Sequence, residues 1–452
     1  MMTDPVTPLE KTLIVGLGKT GLSCARYLSK LGVPLAVTDS REHPPGLDTL
    51  QQLYPDLAIF PGGFMPEVFE AASQLVVSPG VPLSEPLIQA AKARGVEIVG
   101  DIELFARAVN APVVAITGSN GKSTVTTLLG EMARMAGLNV GVGGNLGEPA
   151  LDLLDESVEL YVLELSSFQL ESTHSLKSAA ATVLNLSADH MDRYLDIDEY
   201  AAVKSTIYTN AGTAVVNRDD PMVKSMGGMA VERIGFTLSE PSGHDFGLVN
   251  RGGELWLAHG DKPLLAASEL RIKGRHNLAN ALAALALGSA VNLPMQVMLQ
   301  TLRSFSGLPH RTQWVANKRG LEWYNDSKGT NVGATIAALR GFHSEKEETR
   351  TVLIAGGECK DADFSELSAV VEETARAVIL IGRDAPQLEK ALQGHAMLVQ
   401  AASLEEAVSK ACELGRPDDR VLLSPACASF DMFSGFEQRG EAFVHAVEAL
   451  TE

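Results

Sequence analysis

The stretch AITGSNGKSTVTTLL, residues 115–129, places a glycine-rich loop between an apolar strand and a segment with helical periodicity. In that setting, successive backbone N–H groups and the first turn of a helix face an anion. Lys122 can reach the β- and γ-phosphates of a nucleotide, and the hydroxyl of Ser123 can ligate Mg²⁺. The spacing departs from the common GxxxxGK(S/T) form, because Gly118 stands three positions before Gly121 rather than five. Since strand, loop, lysine and hydroxyl still follow in the expected order, the stretch favours ATP binding over a chance glycine-rich turn.

Apolar segments of strand length alternate with amphipathic segments along the chain, and most of them end in glycine, proline or a small polar residue. This alternation is typical of parallel sheets with crossover helices. It predicts an α/β protein of three consecutive domains, 1–100, 101–307 and 308–452. We expect Rossmann-like first and third domains and a central domain of the P-loop ATPase type. Residues 243–267 alternate apolar and polar positions between glycines, which predicts a small antiparallel appendage on the central domain.

Composition limits the class of protein. The chain has 452 residues, 45% of them apolar and 21% charged, and a formal charge of −19. These values are typical of a globular protein, and the negative charge argues against a nucleic-acid partner. No segment is long and apolar enough to predict membrane insertion, and the first sixteen residues lack a secretory signal pattern. Because the four cysteines show no metal-binding spacing, we expect neither a metal cluster nor a disulfide framework, and a reducing cytoplasm is the expected location.

Two further side chains are candidate ligands for Mg²⁺. Glu164 ends the apolar strand in LYVLELSSFQ, and His190 follows another strand in ATVLNLSADHMDRY. In open α/β sheets, ligands gather at the carboxyl ends of the strands. A hard dication takes oxygen ligands and tolerates one imidazole, so the two side chains can serve together, although a single histidine in a loop can also be structural.

Lys204 lies among alanines and isoleucines in residues 196–210, a segment that predicts a helix. Sequence alone favours a solvent-exposed lysine on the face of that helix. The alternative is a buried lysine beside a metal ion, with a lowered pKa, that reacts with CO₂ to give an anionic carbamate. Such a carbamate could ligate a second Mg²⁺, but the spacing does not decide between the two hypotheses.

The N-terminal stretch LIVGLGKTGLS contains Gly16, Gly18 and Gly21 after an apolar strand, and Asp39 follows 18 residues later. This is the fingerprint of a dinucleotide-binding fold. The same fold unit suits any ligand with a pyrophosphate and a ribose, and a chain with its own ATP loop has less need of a redox cofactor. We therefore favour a UDP-linked substrate over NAD(P), and either ligand over a purely structural glycine turn.

These segments, in this order along nearly the whole chain, resemble the Mur ligase family: GSNGKST, LELSSFQLE, LNLSADHMDRY, GRHNLANALAALAL, GLPHRTQWV and NDSKGTN. GGECKDADF and LLSPACASFDMFSGFEQRGEAF resemble the members that add D-glutamate to UDP-N-acetylmuramoyl-L-alanine, rather than L-Ala, a diamino acid or D-Ala-D-Ala. The resemblance implies a ligase of peptidoglycan synthesis. In its reaction a substrate carboxylate takes the γ-phosphate of ATP, and the amine of glutamate then displaces phosphate from the acyl phosphate.

The resemblance also implies a role for each residue that matches a family motif. ATP would be bound by Gly118, Ser119, Asn120, Gly121, Lys122, Ser123, Thr124, Asn277, Asn280, Arg311, Asp326 and Lys328. The UDP substrate would be bound by Thr20, Asp39, Ser40, Gly80 and Asn145, and D-glutamate by Thr330, Lys360, Ser429 and Phe436. Two Mg²⁺ ions would be held, one by Ser123 and Glu164 and the other by His190 and carbamylated Lys204. Lys122, His190 and Lys204 would be the catalytic residues.

Three alternatives remain. They are another ATP-dependent amino-acid ligase of the same superfamily, an NAD(P)-binding oxidoreductase, and a nucleotide-dependent switch without chemistry. In the favoured interpretation the partners are small-molecule substrates and the chain is a cytoplasmic monomer. Because Lys328 and Lys360 come from the third domain, that domain must close on the central one to complete the site.

Overall fold

A computed structural model describes residues 11–189, 191, 193–228, 230–272, 274–342, 349–359 and 362–451. Their strands form three sheets, one after another along the chain, and helices pack on them. The predicted class, α/β with three consecutive domains, is confirmed. Within these ranges, the structure contains no helix with the length and apolar composition that crossing a membrane requires.

The first domain has a parallel sheet of order β3-β2-β1-β4-β5, which matches the first five strands of the Rossmann order 3-2-1-4-5-6. Its described elements are β1 (Lys11–Val15), α1 (Lys19–Lys30), β2 (Leu35–Asp39), α2 (Leu47–Leu53), β3 (Ala58–Pro61), α3 (Pro66–Glu70), β4 (Ala72–Val77), α4 (Pro86–Ala93) and β5 (Glu97–Val99). A Cβ at Gly21 would lie 2.0 Å from the carbonyl oxygen of Gly16. Glycine is therefore required there for α1 to approach the end of β1.

Helix α5 (Asp101–Ala108) connects the first domain to the central one. The central elements are β6 (Val113–Thr117), α6 (Lys122–Met135), β7 (Val140–Gly144), β8 (Leu160–Glu164), α7 (Ser167–Leu170), β9 (Ala180–Val183), α8 (Ile197–Ser205), β10 (Thr213–Asn217), β11 (Glu232–Phe236), β12 (Phe246–Arg251), β13 (Glu254–His259), β14 (Lys262–Ala266), α9 (Arg275–Ala290) and α10 (Met295–Ser304). They form one sheet of order β14-β13-β12-β11-β10-β9-β6-β8-β7. The glycine-rich loop leaves this sheet at the carboxyl end of β6.

The predicted antiparallel appendage consists of β12, β13 and β14, which pair antiparallel in two hairpins. It is not a separate unit, because β12 also pairs in parallel with β11 and so extends the main sheet. Phe246, Leu257 and Leu265 of these strands are fully buried and belong to the same apolar cluster as α6 and α9. The alternating pattern therefore reflects one buried and one exposed face of a sheet edge.

The third domain has a sheet of order β15-β16-β20-β17-β18-β19. Its described elements are β15 (Gln313–Lys318), β16 (Leu321–Asn325), α11 (Val332–Phe342), β17 (Thr351–Gly356), α12 (Ser365–Thr374), β18 (Ala375–Ile381), α13 (Ala385–Leu392), β19 (Met397–Gln400), α14 (Leu404–Leu414), β20 (Arg420–Leu423) and α15 (Phe436–Glu448). β15 is antiparallel to β16, and the other described strand pairs are parallel.

The domains meet through two different kinds of contact. One apolar cluster runs from the first domain into the central one and includes Ile14 of β1, Phe105 of α5 and Tyr161 of β8. The rings of Phe105 and Tyr161 meet edge to face with centroids 5.2 Å apart. Within the described ranges, the clusters of the third domain contain only residues from 315 onward. The first and central domains thus share a core, whereas the third domain has cores of its own.

Candidate active site

The glycine-rich loop joins the end of β6 to the first turn of α6. Gly121 has a φ of 84°, and a Cβ there would lie 2.5 Å from Oδ1 of Asn280. Conformation and space both require glycine at this position. Nζ of Lys122 donates to the carbonyl oxygens of Gly118 and Ser119 at 2.8 Å each. Burial lowers the pKa of Lys122, and the neighbouring charge of Glu164 opposes that effect.

Glu164, at the end of β8, contacts two different parts of the molecule. Oγ of Ser123 donates to its Oε2 at 2.6 Å, and Nδ2 of Asn145 donates to its Oε1 at 2.7 Å. Arg311, from the start of the third domain, donates to Oγ of Ser123 at 2.6 Å. One carboxylate therefore connects the glycine-rich loop to the loop that carries Asn145, and the third domain reaches the same point.

The hydroxyl of Ser123, in the first turn of α6, and the carboxylate of Glu164, at the end of β8, are a donor set that fits Mg²⁺. This ion takes one or two protein ligands and completes its octahedral shell with water and substrate phosphates. In the described part of the chain there is no group of three or more His, Cys, Asp or Glu side chains arranged as a metal cage. His190, the predicted imidazole ligand, lies outside the described residues.

A cavity of about 290 Å³ lies between the central and third domains. We call it the interdomain cavity. Of the predicted ATP-binding residues, its walls contain Asn120, Gly121, Thr124, Asn277, Asn280, Arg311, Asp326 and Lys328. The remaining four, Gly118, Ser119, Lys122 and Ser123, belong to the adjoining loop and the first turn of α6. The structure thus brings together residues that are more than 200 positions apart in the sequence.

Two titratable groups on the third-domain side of this cavity have shifted pKa values. Burial raises the pKa of Asp326 to about 6, although its carboxylate accepts hydrogen bonds from Oγ of Ser424 at 2.7 Å and the backbone N–H of Thr312 at 3.0 Å. Burial and the charge of Arg311 lower the pKa of Lys328 to about 8. Nζ of Lys328 lies 3.7 Å from the centre of the Phe436 ring, a cation–π contact.

Lys204 is buried in the central domain, with 1% of its surface exposed. Its Nζ donates to Oγ1 of Thr117 at 3.2 Å and lies 4.6 Å from the centre of the Tyr200 ring. Burial, together with the charge of Lys122, lowers the pKa of Lys204 well below its ordinary value. The solvent-exposed lysine that sequence alone favours is therefore wrong. The physical reason is that α8 places this side chain against the end of β6 and not toward water.

A second cavity, of about 560 Å³, lies between the first and central domains. We call it the N-terminal cavity. Its walls contain all five residues predicted for the UDP substrate, Thr20, Asp39, Ser40, Gly80 and Asn145. They also contain Gly16, Gly18 and two basic side chains, Lys19 and Arg41. Because α1 begins directly after Gly18, its N-terminus faces a cavity that also holds cationic groups, which suits a diphosphate.

The carboxylate of Asp39 is hydrogen-bonded to other residues of the first domain. It accepts hydrogen bonds from the Leu17 N–H at 2.7 Å and from the Arg41 side chain at 2.7 and 2.9 Å. Burial alone would raise the pKa of Asp39, but the hydrogen bonds from Arg41 and Leu17 outweigh burial and lower it. Asp39 therefore stays ionised and orients the exposed guanidinium of Arg41 at the cavity.

Three of the four residues predicted for D-glutamate lie on or at the end of the loops that follow β16 and β20. Thr330 follows β16, Ser429 follows β20 and is buried, and Phe436 begins α15. The two loops touch, because the Ala426 N–H donates to the carbonyl oxygen of Gly329 at 2.9 Å. The fourth predicted residue, Lys360, lies outside the described residues.

Arg439 organises these loops and was not predicted from the sequence. It is 1% exposed, and its guanidinium donates to the carbonyl oxygens of Ser327, Cys427 and Ala428 at 2.8, 3.1 and 3.2 Å. Its Nε also donates to Oγ of Ser327 at 3.0 Å. The sequence offers only a weak signal, which is an arginine one turn into a helix. Its partner Ser327 lies 112 positions away, so no local pattern connects the two residues.

Asn185 is a second residue that the sequence analysis missed. Its Oδ1 accepts from the Asn120 N–H at 2.8 Å, and its Nδ2 donates to the Asn120 carbonyl oxygen at 3.0 Å. The side chain thus fixes the backbone of the glycine-rich loop on the wall of the interdomain cavity. Its position directly after the apolar segment ATVL was a usable signal, since side chains there meet at the carboxyl edge of the sheet.

A glycine-rich loop on a central sheet, with a third domain closing its cavity, defines a three-domain α/β protein of the P-loop class. The chain belongs to the Mur ligase family. Residues 10–100 match the family model of the Mur ligase MurD-like N-terminal domain, and residues 116–288 that of the Mur ligase middle domain. Residues 310–427 match the Mur ligase glutamate ligase domain.

Curated relatives carry the name UDP-N-acetylmuramoylalanine--D-glutamate ligase. The relative from Nitrosococcus oceani is 55% identical over 100% of this chain and 99% of its own length. The relative from Methylobacillus flagellatus is 53% identical over 98% of this chain and 97% of its own length. The relative from Pseudomonas aeruginosa is 52% identical over 97% of this chain and 98% of its own length.

Solved structures with the same fold are less similar in sequence. A pseudomurein peptide ligase type C from Methanothermus fervidus has a TM-score of 0.62 at 18% identity, with 98% of this chain and 100% of that chain covered. UDP-N-acetylmuramate-alanine ligase MurC from Thermotoga maritima has a TM-score of 0.60 at 17% identity, with 97% and 99% covered. These two structures support the three-domain fold.

Proposed function

We propose that this chain is an ATP-dependent amide ligase that adds D-glutamate to UDP-N-acetylmuramoyl-L-alanine through an acyl phosphate, in peptidoglycan precursor synthesis. The names of relatives at 51–55% identity support this substrate pair. The structural observation that carries the proposal is the position of Glu164. Its carboxylate holds Ser123 beside the interdomain cavity and Asn145 on the N-terminal cavity at 2.6 and 2.7 Å. A carboxylate substrate in one cavity can thus meet a nucleotide in the other.

The first step brings the anionic carboxylate toward the anionic γ-phosphate, so the site must offset repulsion between them. Lys122, Arg311 and Lys328 supply positive charge, and the N-terminus of α6 supplies backbone N–H donors. Ser123 and Glu164 would hold Mg²⁺, which would add positive charge and fix the phosphates when bound. Because the Arg311 guanidinium donates to Ser123 from the third domain, closing that domain adds a cation where negative charge develops.

The UDP moiety would occupy the N-terminal cavity. The N–H groups at the start of α1, with Lys19 and Arg41, suit its diphosphate. Asp39 would orient Arg41 rather than contact the ribose, since its carboxylate is already hydrogen-bonded on both oxygens. Thr20, Ser40 and Gly80 supply the remaining polar and backbone contacts, and Asn145 would lie nearest the reacting end.

D-Glutamate would bind on the third-domain loops that Arg439 holds. Lys360 is the natural partner of a carboxylate, and Thr330, Ser429 and Phe436 would form the rest of the pocket. The amine must reach the acyl carbon, so these loops have to lie beside the interdomain cavity. The contact between Lys328 and Phe436 supports that placement, because Lys328 lines the cavity and Phe436 belongs to the amino-acid loops.

We also propose that Lys204 is carbamylated and, with His190, holds a second Mg²⁺. The burial of Lys204 supports this proposal. Its amino group contacts the Thr117 hydroxyl and the Tyr200 ring, and burial favours the neutral amine that reacts with CO₂. Lys204→Ala should abolish turnover, and a short added carboxylate such as formate or acetate should partly restore it. Matched Lys390→Ala, at an exposed position of α13, should keep full activity. Full activity of Lys204→Ala without the additive would contradict the proposed carbamylation of Lys204.

The function is tested by phosphate release with Mg-ATP and UDP-N-acetylmuramoyl-L-alanine. D-Glutamate, L-glutamate, L-alanine, L-lysine and meso-diaminopimelate are added one at a time. Release that depends on D-glutamate alone supports the proposal, and release with another amino acid keeps the ligase but changes its substrate. No release with any of them contradicts it and favours a nucleotide switch or an NAD(P) enzyme.

We further propose a cytoplasmic monomer. Size-exclusion chromatography with light scattering would test the monomer.

A further inference from the structure

Two free cysteines of the third domain lie side by side. Cys359 and Cys427 are 3% and 1% exposed, and their Sγ atoms are 2.6 Å apart. That separation is about half an ångström longer than the S–S bond of a disulfide, which is about 2.05 Å. The other two cysteines, Cys24 on α1 and Cys412 on α14, lie elsewhere. No sequence pattern predicts this pair, because the two cysteines are 68 positions apart.

The backbone around the pair has the geometry that a disulfide needs. Glu358 and Ala428 form an isolated antiparallel bridge and exchange both backbone hydrogen bonds, at 3.0 and 2.9 Å. Cys359 and Cys427 are the next opposite pair and do not exchange these bonds. In such a pair the Cα atoms lie about 4.5 Å apart, which is inside the range of about 4.4–6.8 Å that disulfides span. The bond can therefore form without a large backbone movement.

We propose that Cys359 and Cys427 are a reversible redox site, which a small hydroperoxide closes to a disulfide and a dithiol reductant opens. In the first half-reaction one sulfur attacks the peroxide, the O–O bond breaks, and a sulfenic acid and an alcohol or water form. The second sulfur then displaces the sulfenic oxygen as water, so the S–S bond forms. The two sulfurs give up two electrons in total, which reduce the peroxide, and both thiol protons leave in the products.

The resting state of the site is the dithiol. The hydrogen bond with Cys359 and burial together raise the pKa of the Cys427 thiol, so this sulfur stays protonated at neutral pH. Because the thiolate is the reactive form, oxidation is slow. The burial of both sulfurs favours a small hydroperoxide over a bulky disulfide as the oxidant. Disulfides in reducing compartments are usually transient and responsive, which fits this behaviour.

The disulfide would join the segment after β17, which directly precedes Lys360 in the sequence, to the loop after β20, which carries Ser429, and this consequence rests on the proposed function. Cys359 directly precedes Lys360, and Cys427 stands two positions before Ser429. Arg439 already fixes the backbone of Cys427. The Cys359 N–H in turn donates to Oδ2 of Asp384 at 2.8 Å, so drawing the sulfurs together has to shift at least one of these two held segments. Small misplacements of a binding group reduce turnover strongly, so we expect the oxidised enzyme to lose about tenfold in kcat/KM for the amino acid. The KM for ATP should change little.

The disulfide is tested by counting thiols. The full-length protein is treated with hydrogen peroxide, then denatured and alkylated with iodoacetamide. Reduced protein should take up four alkyl groups, one for each cysteine, and oxidised protein should take up two. Non-reducing trypsin digestion should link peptide 351–360 to peptide 421–439. Cys359→Ala should show equal alkylation before and after peroxide, whereas the matched Cys412→Ala should still lose two alkyl groups. Equal alkylation of the wild-type protein before and after peroxide would overturn the proposal.

The functional consequence is read separately. Peroxide should lower kcat/KM of the wild type, a dithiol reductant should restore it, and Cys359→Ala should be insensitive to both treatments. A disulfide that forms without changing the kinetics would overturn the coupling to the amino-acid site. If the reduced protein shows no ligase activity at all, the proposed function fails, but the thiol count still decides whether the redox site exists.

Discussion

The two domain junctions of this molecule differ in what holds them together. The junction of the first and central domains contains a continuous apolar cluster, in which Phe105 packs edge to face on Tyr161. The junction of the central and third domains is made by polar contacts such as Arg311 with Ser123 and Asn331 with Asn120. A shared core fixes two domains as one unit, whereas a polar interface of this kind permits relative motion. We therefore expect the N-terminal cavity to be rigid and the interdomain cavity to open and close.

This difference fits the ligands that each cavity would bind under the proposed function. A rigid N-terminal cavity can hold one large substrate at a constant distance from the glycine-rich loop. Under the proposed function the interdomain cavity would admit ATP and release ADP, so we expect its third-domain wall to move. We expect substitutions at the apolar junction to lower the free energy of unfolding, and substitutions at the polar junction to lower the rate of catalysis.

The largest expected effect is on the apolar junction. Phe105→Ala should destabilise the protein by about 3–5 kcal/mol, because it removes a fully buried ring and leaves a cavity between two domains. The measurement is chemical denaturation followed by circular dichroism. Leu31→Ala, at the exposed position directly after α1, is the control and should change stability by under about 0.5 kcal/mol. A small effect of Phe105→Ala would mean that the domains do not share a core.

The next prediction concerns the glycine-rich loop. Lys122→Ala should reduce kcat by several powers of ten, because a preorganised charge contact of this kind is worth roughly 3–4 kcal/mol or more. Thermal stability should stay close to that of the wild type. Steady-state phosphate release gives the rate, and exposed Lys390→Ala is the matched control. Unchanged turnover in Lys122→Ala would remove the loop from the mechanism.

Asp101 is a buried carboxyl within the apolar junction and gives it a pH dependence. Its Oδ2 accepts from Nε2 of Gln169 at 2.9 Å, and burial raises its pKa to about 6 despite its place at the start of α5. A carboxyl with a raised pKa stabilises the fold when protonated, and this stability is lost as the pH rises through about 6. Asp101→Asn lacks that loss, so its stability relative to wild type should improve by up to about 3 kcal/mol between pH 4 and 8.

Thermal unfolding at several pH values checks this prediction. Exposed Asp48→Asn, on α2, serves as the control for replacing a surface carboxyl by an amide. A relative stability of Asp101→Asn that falls as the pH rises would mean that the carboxyl is ionised and stabilising in the fold.

The smallest effect should come from the polar junction. Arg311→Ala should lower kcat/KM by about 10- to 100-fold, since a hydrogen bond to a charged group contributes about 1.5–3 kcal/mol. The midpoint of unfolding should hardly change, because no shared core is disturbed. Exposed Arg251→Ala on the central hairpin is the control. A strong loss of stability with normal kinetics would reverse the roles assigned to the two junctions.

The sequence was sufficient where the signal is local. The alternation of apolar and amphipathic segments predicted the α/β class, and the strand–loop–lysine order of residues 115–129 predicted the glycine-rich loop. The antiparallel strands after residue 243 were also predicted, although their union with the main sheet was not. That union depends on one parallel pairing, β11 with β12, which no local pattern encodes.

The sequence was insufficient where a side chain's surroundings come from distant segments. Sequence alone favoured a solvent-exposed Lys204 on the face of its helix, yet the end of β6 covers it. Arg439 and Cys359 have partners many positions away, so no spacing reveals them. The roles of residues in the third domain rest on family resemblance for the same reason, and they remain predictions.

Activation of the substrate carboxylate as an acyl phosphate can be tested by following an oxygen atom. UDP-N-acetylmuramoyl-L-alanine with a heavy-oxygen label in its carboxylate is incubated with Mg-ATP, D-glutamate and the enzyme, and the released phosphate is analysed by mass spectrometry. If the carboxylate attacks the γ-phosphate, one labelled oxygen must pass from the substrate into each phosphate. Phosphate that carries no label would contradict activation through an acyl phosphate, and with it the account of why the two cavities meet at Glu164.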